Sequence, residues 1–173
     1  MPQANRLNLP SAPVKQQIAN KAEWNESRSP DLADFFTFGY SGRKTEEILG
    51  LLKQHGVRTL VDIRRNAVSM YRPELSKGNL ARLLDENGIG YTHVPGLGVP
   101  RDIRAKAIET GTRDVIWTWY DENVVSGVLN ARSFLDEFEG PIALMCTEMD
   151  PRECHRHRLS LALEELGLNG FDL

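Results

Sequence analysis

Apolar and polar positions divide the chain into short uncharged runs and longer amphipathic ones. After a polar opening, Phe35, Phe36 and Phe38 form an aromatic run that ends at Gly39, the pattern of a buried strand. "KTEEILGLLKQHG" then carries Ile48, Leu49, Leu51 and Leu52 at helical spacing, with Thr45 as the expected N-cap and Gly56 at the C-terminal stop. "VRTLVDI" predicts a second strand, and "SKGNLARLLDENG" a helix from Ser76 to Gly88. "IGYTHV" predicts a third strand, residues 102–138 two or three helices, "PIALMC" a fourth strand, and residues 151–166 a last helix.

This alternation predicts an α/β fold: one domain, a mostly parallel central sheet and helices on both faces. Residues 1–33, rich in Asn, Gln, Ala, Pro and Ser, read as an N-terminal extension or arm with at most a helical turn near 14–22. The α/β domain is expected to fill residues 34–173.

The chain has 173 residues, enough for one hydrophobic core and short for two. No apolar run reaches the roughly 20 residues of a membrane span, and the first residues lack the apolar core of a secretory signal. Together with two cysteines spaced too sparsely for a disulfide framework, this reads as a cytoplasmic protein without membrane partners. A net charge of -3 argues against non-specific coating of nucleic acid. The arginines are nevertheless clustered, at Arg43, Arg64, Arg65, Arg72, Arg152, Arg156 and Arg158, which points to an anionic ligand at one locale.

Ligands of open parallel sheets bind beyond the carboxyl ends of the strands. There the sequence places Tyr40, Ser41 and Arg43, then Asp62, Arg64, Tyr71 and Arg72, then His93, and finally Cys146, Thr147 and Glu148. "GYSGR" offers backbone N–H groups, a hydroxyl and a guanidinium to an anion, or simply makes a tight turn. It lacks the spacing and the Lys-Ser/Thr pair of a phosphate-binding Walker loop. Of the adjacent Arg64 and Arg65, only one can face a site easily, and Arg64 is favoured.

The densest segment is "MCTEMDPRECHRHR", residues 145–158. Asp150, Pro151 and Glu153 form a capping-box-like helix start. The apolar stripe Leu159, Ala162, Leu163 and Leu166, traced backward, turns His155, Arg156 and Arg152 toward the sheet.

Three chemistries compete. Cys146, Cys154, His155 and His157 are metal-ligand types, but on a helix Cys154 and His155 point about 100° apart. Cys154 and His157 would be the better helical pair, and no metal is assigned. Cys146 before a helix start and near arginines suits a nucleophilic thiol, phosphatase-like or sulfurtransferase-like, although Glu148 and Asp150 would repel an oxyanion.

The third reading uses the most residues. Tyr40, Ser41, Arg43, Arg64, Tyr71, Arg72 and Arg156 would bind a phosphate-bearing ligand, a nucleotide or nucleic acid. Cys146, Glu148, His155 and Asp62 would then be the candidates for hydrolytic or group-transfer chemistry. A non-catalytic interaction module, its arginines merely solvated or salt-bridged, is the alternative. No cofactor motif is present.

"FGYSGR", "LVDIRRN", "YRPELSKGNLARLL", "GIGYTHVPGLG" and "ALMCTEMDPRECHR", in that order, resemble the family known as domain of unknown function 488, over about residues 36–166. The resemblance marks Gly39, Tyr40, Ser41, Asp62, Arg64, Tyr71, Arg72, Cys146, Glu148, Cys154, His155 and Arg156. It carries no established activity.

Overall fold

A computed structural model describes residues 21–131 and 133–173. Five strands, β1 (Phe35–Gly39), β2 (Thr59–Asp62), β3 (Gly90–His93), β4 (Ile142–Cys146) and β5 (Gly170–Asp172), form one all-parallel sheet in the order β3-β2-β4-β1-β5. The helices are α1 (Lys21–Asn25), α2 (Thr45–Gln54), α3 (Lys77–Glu86), α4 (Arg101–Thr110), α5 (Asp114–Tyr120), α6 (Ser126–Ala131) and α7 (Arg156–Glu165). A π-helical segment, Asp121–Val125, joins α5 to α6. No described helix is long and apolar enough to cross a membrane.

The strands are uncharged up to Asp62 and Asp172 because the sheet is covered on both faces, where an unpaired charge would be costly. Side chains alternate between two cores. Phe36, Phe38, Leu60, Ala143 and Met145 pack with Leu52 of α2 and Leu84 of α3. Phe35, Val61, Ile142, Leu144 and Cys146 pack with Ile103 of α4, Tyr120 of α5 and Leu159 of α7. Cys146 therefore points to the α4–α7 side.

Helix ends follow the expected chemistry with two changes. Gly56 and Gly88 sit just past α2 and α3 with φ of 65° and 72°, the left-handed geometry glycine accepts. Lys44, not Thr45, holds the N-cap of α2, because its N–H donates to the Glu47 carboxylate at 2.7 Å. Ser76 stands at the N-cap of α3, but its hydroxyl accepts from the Ser69 N–H instead.

Two elements depart from the expected layout. The short strand β5 escaped the hydrophobic pattern and lies beside β1. It also anchors the described end of the segment expected as an arm. Asn25 exchanges hydrogen bonds with the backbone of Asp172, Trp24 is buried against His157 with ring centroids 3.9 Å apart, and Arg28 pairs with Glu164. Of the helical turn expected near 14–22, residues 14–20 lie outside the described residues.

Asp172 is fully buried, accepts a 2.6 Å hydrogen bond from Thr37, and faces the equally buried Arg156 at 3.3 Å. Removing one partner of such a pair leaves an uncompensated charge in the interior. Asp172→Ala is expected to destabilise the fold by about 3–5 kcal/mol in urea denaturation. A loss below about 1 kcal/mol, the scale of a surface pair, would show that Arg156 does not depend on this carboxylate.

Candidate functional site

The register aligns the carboxyl ends of four strands: Gly39 lies opposite Cys146, and Asp62 opposite both Met145 and His93. Parallel pairing continues past β1, with Tyr40 N–H donating to Cys146 O at 3.2 Å and Ser41 N–H to Thr147 O at 3.0 Å. The loop after β4 thus lies across the end of β1. A Cβ at position 39 would stand 1.8 Å from the Glu148 carbonyl oxygen, so only glycine lets the loop pass.

Beyond that loop, the single helix expected over 151–166 is in fact two pieces. Asp150 caps a 3-10 turn, Pro151–Glu153, by accepting from the Arg152 N–H at 2.9 Å. Cys154 is extended, with φ -120° and ψ 136°, and α7 starts at Arg156. The break removes the 100° divergence that would have separated Cys154 from His155 on a continuous helix. Their ligating atoms and Cys146 Sγ all lie within 4.8 Å of one another. His157 turns away to Trp24 instead.

Around this cluster the contacts are specific. Cys146 Sγ lies 3.4 Å from Glu148 Oε2 and 3.8 Å from His155 Nδ1. His155 Nε2 is 3.4 Å from the Ile63 carbonyl, and its ring packs on Tyr120 at 5.1 Å. Both sulfurs are buried.

The two thiols are perturbed in opposite directions. A hydrogen bond to Cys154, burial, and the charges of Cys154 and Glu148 push the Cys146 thiol well above its ordinary range. Burial also acts to raise Cys154. The hydrogen bond from Cys146, the Arg156 guanidinium and His155 together outweigh it and hold Cys154 well below that range. The electropositive setting expected for Cys146 therefore falls on Cys154. Burial, with the Cys154 charge, raises the Glu148 carboxyl.

The arginines are mostly spoken for. Arg64 is buried and clamps Asp62 at 2.9 and 2.7 Å, while also donating to Leu75 O. Asp62 further accepts from Tyr91 at 2.6 Å, so this expected acid–base candidate is locked in a polar network of its own. Arg43 donates to Leu173 O, and Arg72 to Arg43 O and Glu74, bracing the turn after β1. Arg156 is completely buried and holds Glu148 O, Met149 O and Asp172. Tyr71 is 98% exposed on the loop before α3. Of the expected site residues, Cys146, Glu148 and His155 come together, with Arg156 beside them; Tyr40 and Ser41 border the loop.

Glu148 and His155 also open onto a cleft of about 320 Å³ between the β4–α7 loop and helices α4 and α5. Val99, Ile116 and Trp117 give it apolar walls, and Arg104 and Arg113 bring two guanidiniums. Arg113 donates to the Glu153 carbonyl. Arg104 is exposed, and its side chain makes no hydrogen bond or ion pair among the described residues. Neither arginine was marked by the sequence, since each looks like the solvated side of an amphipathic helix.

Fold and site together define a parallel α/β protein with a buried Cys–Cys–His cluster beside a basic-rimmed cleft. Residues 44–163 match the model of the family described as "Domain of unknown function DUF488", and the chain belongs to that family. No curated protein and no solved structure matches it.

The loop crossing at Gly39 gives a direct test. Gly39→Ala must displace backbone at Glu148 and is expected to cost at least about 1–3 kcal/mol, the overpacking range. Gly50→Ala, on α2 with nothing within 4 Å of its added Cβ, should instead gain about 0.5–1 kcal/mol. Equal thermal stabilities for the two variants would contradict the close approach.

Proposed function

We propose that the cleft is the active site of an enzyme acting on a small phosphate-bearing ligand of mononucleotide size or less. Arg104 and Arg113 would hold the phosphate, and Glu148, with His155 beside it, would supply acid–base chemistry. The observation that carries this reading is that these four residues, from α4, the start of α5 and the β4–α7 loop, line one concave space. Its apolar walls and few convergent polar groups are the ordinary make-up of a small-ligand site, and its volume is at the small end of that range.

The electrostatics favour the same assignment. Burial, with the Cys154 charge, raises the Glu148 carboxyl, the direction in which a general acid is tuned. Because Arg64, Arg72 and Arg156 already have internal partners, they do not offer a basic track to a long polyanion, which favours a small ligand over a polynucleotide. The reading of Cys146 as nucleophile has less support: its sulfur is buried, does not line the cleft, and its thiol is pushed up by the neighbouring Cys154 and by burial.

Titration of the protein with adenosine monophosphate and with inorganic phosphate, followed by calorimetry or NMR, tests the proposal. Binding is expected to weaken with added salt. Arg104→Ala or Arg113→Ala should each lower affinity roughly tenfold or more, the worth of one hydrogen bond to a charged group. Glu148→Gln should retain binding, while Arg82→Ala on α3 should change nothing. Affinity that survives both cleft substitutions would sink this assignment.

A further inference from the structure

We propose that Cys146, Cys154 and His155 bind one divalent ion of the zinc type, with the fourth coordination position turned toward Glu148 and the cleft. The inference deepens the cleft reading by giving it a cofactor. It rests on that reading only for the side on which the open position lies.

The donor geometry comes first. In a tetrahedral zinc site, bond lengths of about 2.3 Å to sulfur and 2.0 Å to nitrogen place sulfur and nitrogen roughly 3.5 Å apart, and two sulfurs roughly 3.8 Å apart. Cys146 Sγ and His155 Nδ1 are 3.8 Å apart, and no pair among the three donors exceeds 4.8 Å. The donors stand near the corners of one tetrahedral face, and no pair has to close by more than about 1.3 Å to hold an ion.

The support behind the donors is equally particular. Nδ1 and Nε2 of His155 stand 3.8 and 3.9 Å from Cys146 Sγ. The Ile63 carbonyl, 3.4 Å from Nε2, gives that nitrogen a partner and so favours Nδ1 as the ligand. Three different local structures supply the ligands: the end of a buried strand, one extended residue and the N-cap of α7. The break at Cys154 is what makes a three-donor set out of neighbours that a helix would splay.

Charge and ligand type select the ion. Two thiolates and one divalent ion sum to zero, which suits a site where both cysteines are 1% exposed. Two thiolates with an imidazole suit zinc and disfavour magnesium or calcium. Glu148 Oε2, 3.4 Å from Cys146 Sγ, lies where the cluster meets the cleft. A Cys–Cys–His zinc with a carboxylate that is not itself a ligand is a donor set used for water activation in hydrolytic enzymes.

The test uses the full chain, reduced, freed of metal with a chelator and titrated with cobalt(II). One equivalent is expected to bind, giving thiolate-to-cobalt charge transfer in the near ultraviolet and the strong visible bands of tetrahedral cobalt. One equivalent of zinc should displace it. Because the chain contains only two cysteines, the sulfur bands of the wild-type protein report on Cys146 and Cys154 without any substitution, even if a variant fails to fold. Cys146→Ser, Cys154→Ser and His155→Gln should each lower zinc affinity more than tenfold, and His55→Gln just past the end of α2 should leave it unchanged.

Cobalt that binds without sulfur bands, or no stoichiometric binding at all, overturns the site; so does zinc whose X-ray absorption spectrum lacks two sulfur neighbours. The two proposals fail separately. Arg104→Ala and Arg113→Ala should keep the cobalt spectrum, so a chain that binds metal but no mononucleotide loses only the cleft reading. A chain that binds mononucleotide but no metal loses only this one.

Discussion

One buried guanidinium holds together the loop after β4, the start of α7 and strand β5. Arg156 donates to the carbonyls of Glu148 and Met149 and to the Asp172 carboxylate, and it lies beside the Cys154 sulfur. It ties the loop after β4, the first turn of α7 and strand β5 to a single planar group. Desolvating an arginine is expensive, and only a nearly complete set of acceptors makes it tolerable. Three acceptors from two segments, the loop after β4 and strand β5, fix where those segments lie against α7. The loop that carries Glu148 is thereby held across Gly39, where no side chain larger than hydrogen fits.

The cluster follows from that clamp. With the loop fixed, the chain makes a capped 3-10 turn, extends through Cys154 and enters α7. The extended residue brings Cys154 and His155 to the same side, facing the sulfur at the end of β4. Helices α4 and α5 close the other side, with Tyr120 against the His155 ring and the arginine-rimmed cleft outside. The cleft and the thiol cluster meet at two residues, Glu148 and His155.

Much of this was legible in the sequence, for physical reasons. The uncharged runs marked β1 to β4 because a sheet covered on both faces excludes unpaired charge, and glycine stops marked the ends of α2 and α3. The convergence of the strand ends followed from parallel topology. Strand β5 was not legible: three residues give no periodicity, and its buried Asp172 argues against a strand until Arg156 is in place. The roles of the arginines were hidden for a related reason. Arg64 and Asp62 are two positions apart beyond a strand end, and only three-dimensional structure shows them clamped to each other rather than turned toward a ligand. Arg104 lies on the polar side of α4 and Arg113 in the turn before α5, both positions that look merely solvated. The break at Cys154 was masked by a convincing helix start at Asp150 and Pro151.

The most direct measurement is anomalous diffraction from crystals of the reduced protein grown with one equivalent of zinc. The account expects a single strong anomalous peak within bonding distance of Cys146 Sγ, Cys154 Sγ and His155 Nδ1, with its open side toward Glu148. A map with no zinc at these three atoms, or with Cys146 and Cys154 joined in a disulfide, would contradict it.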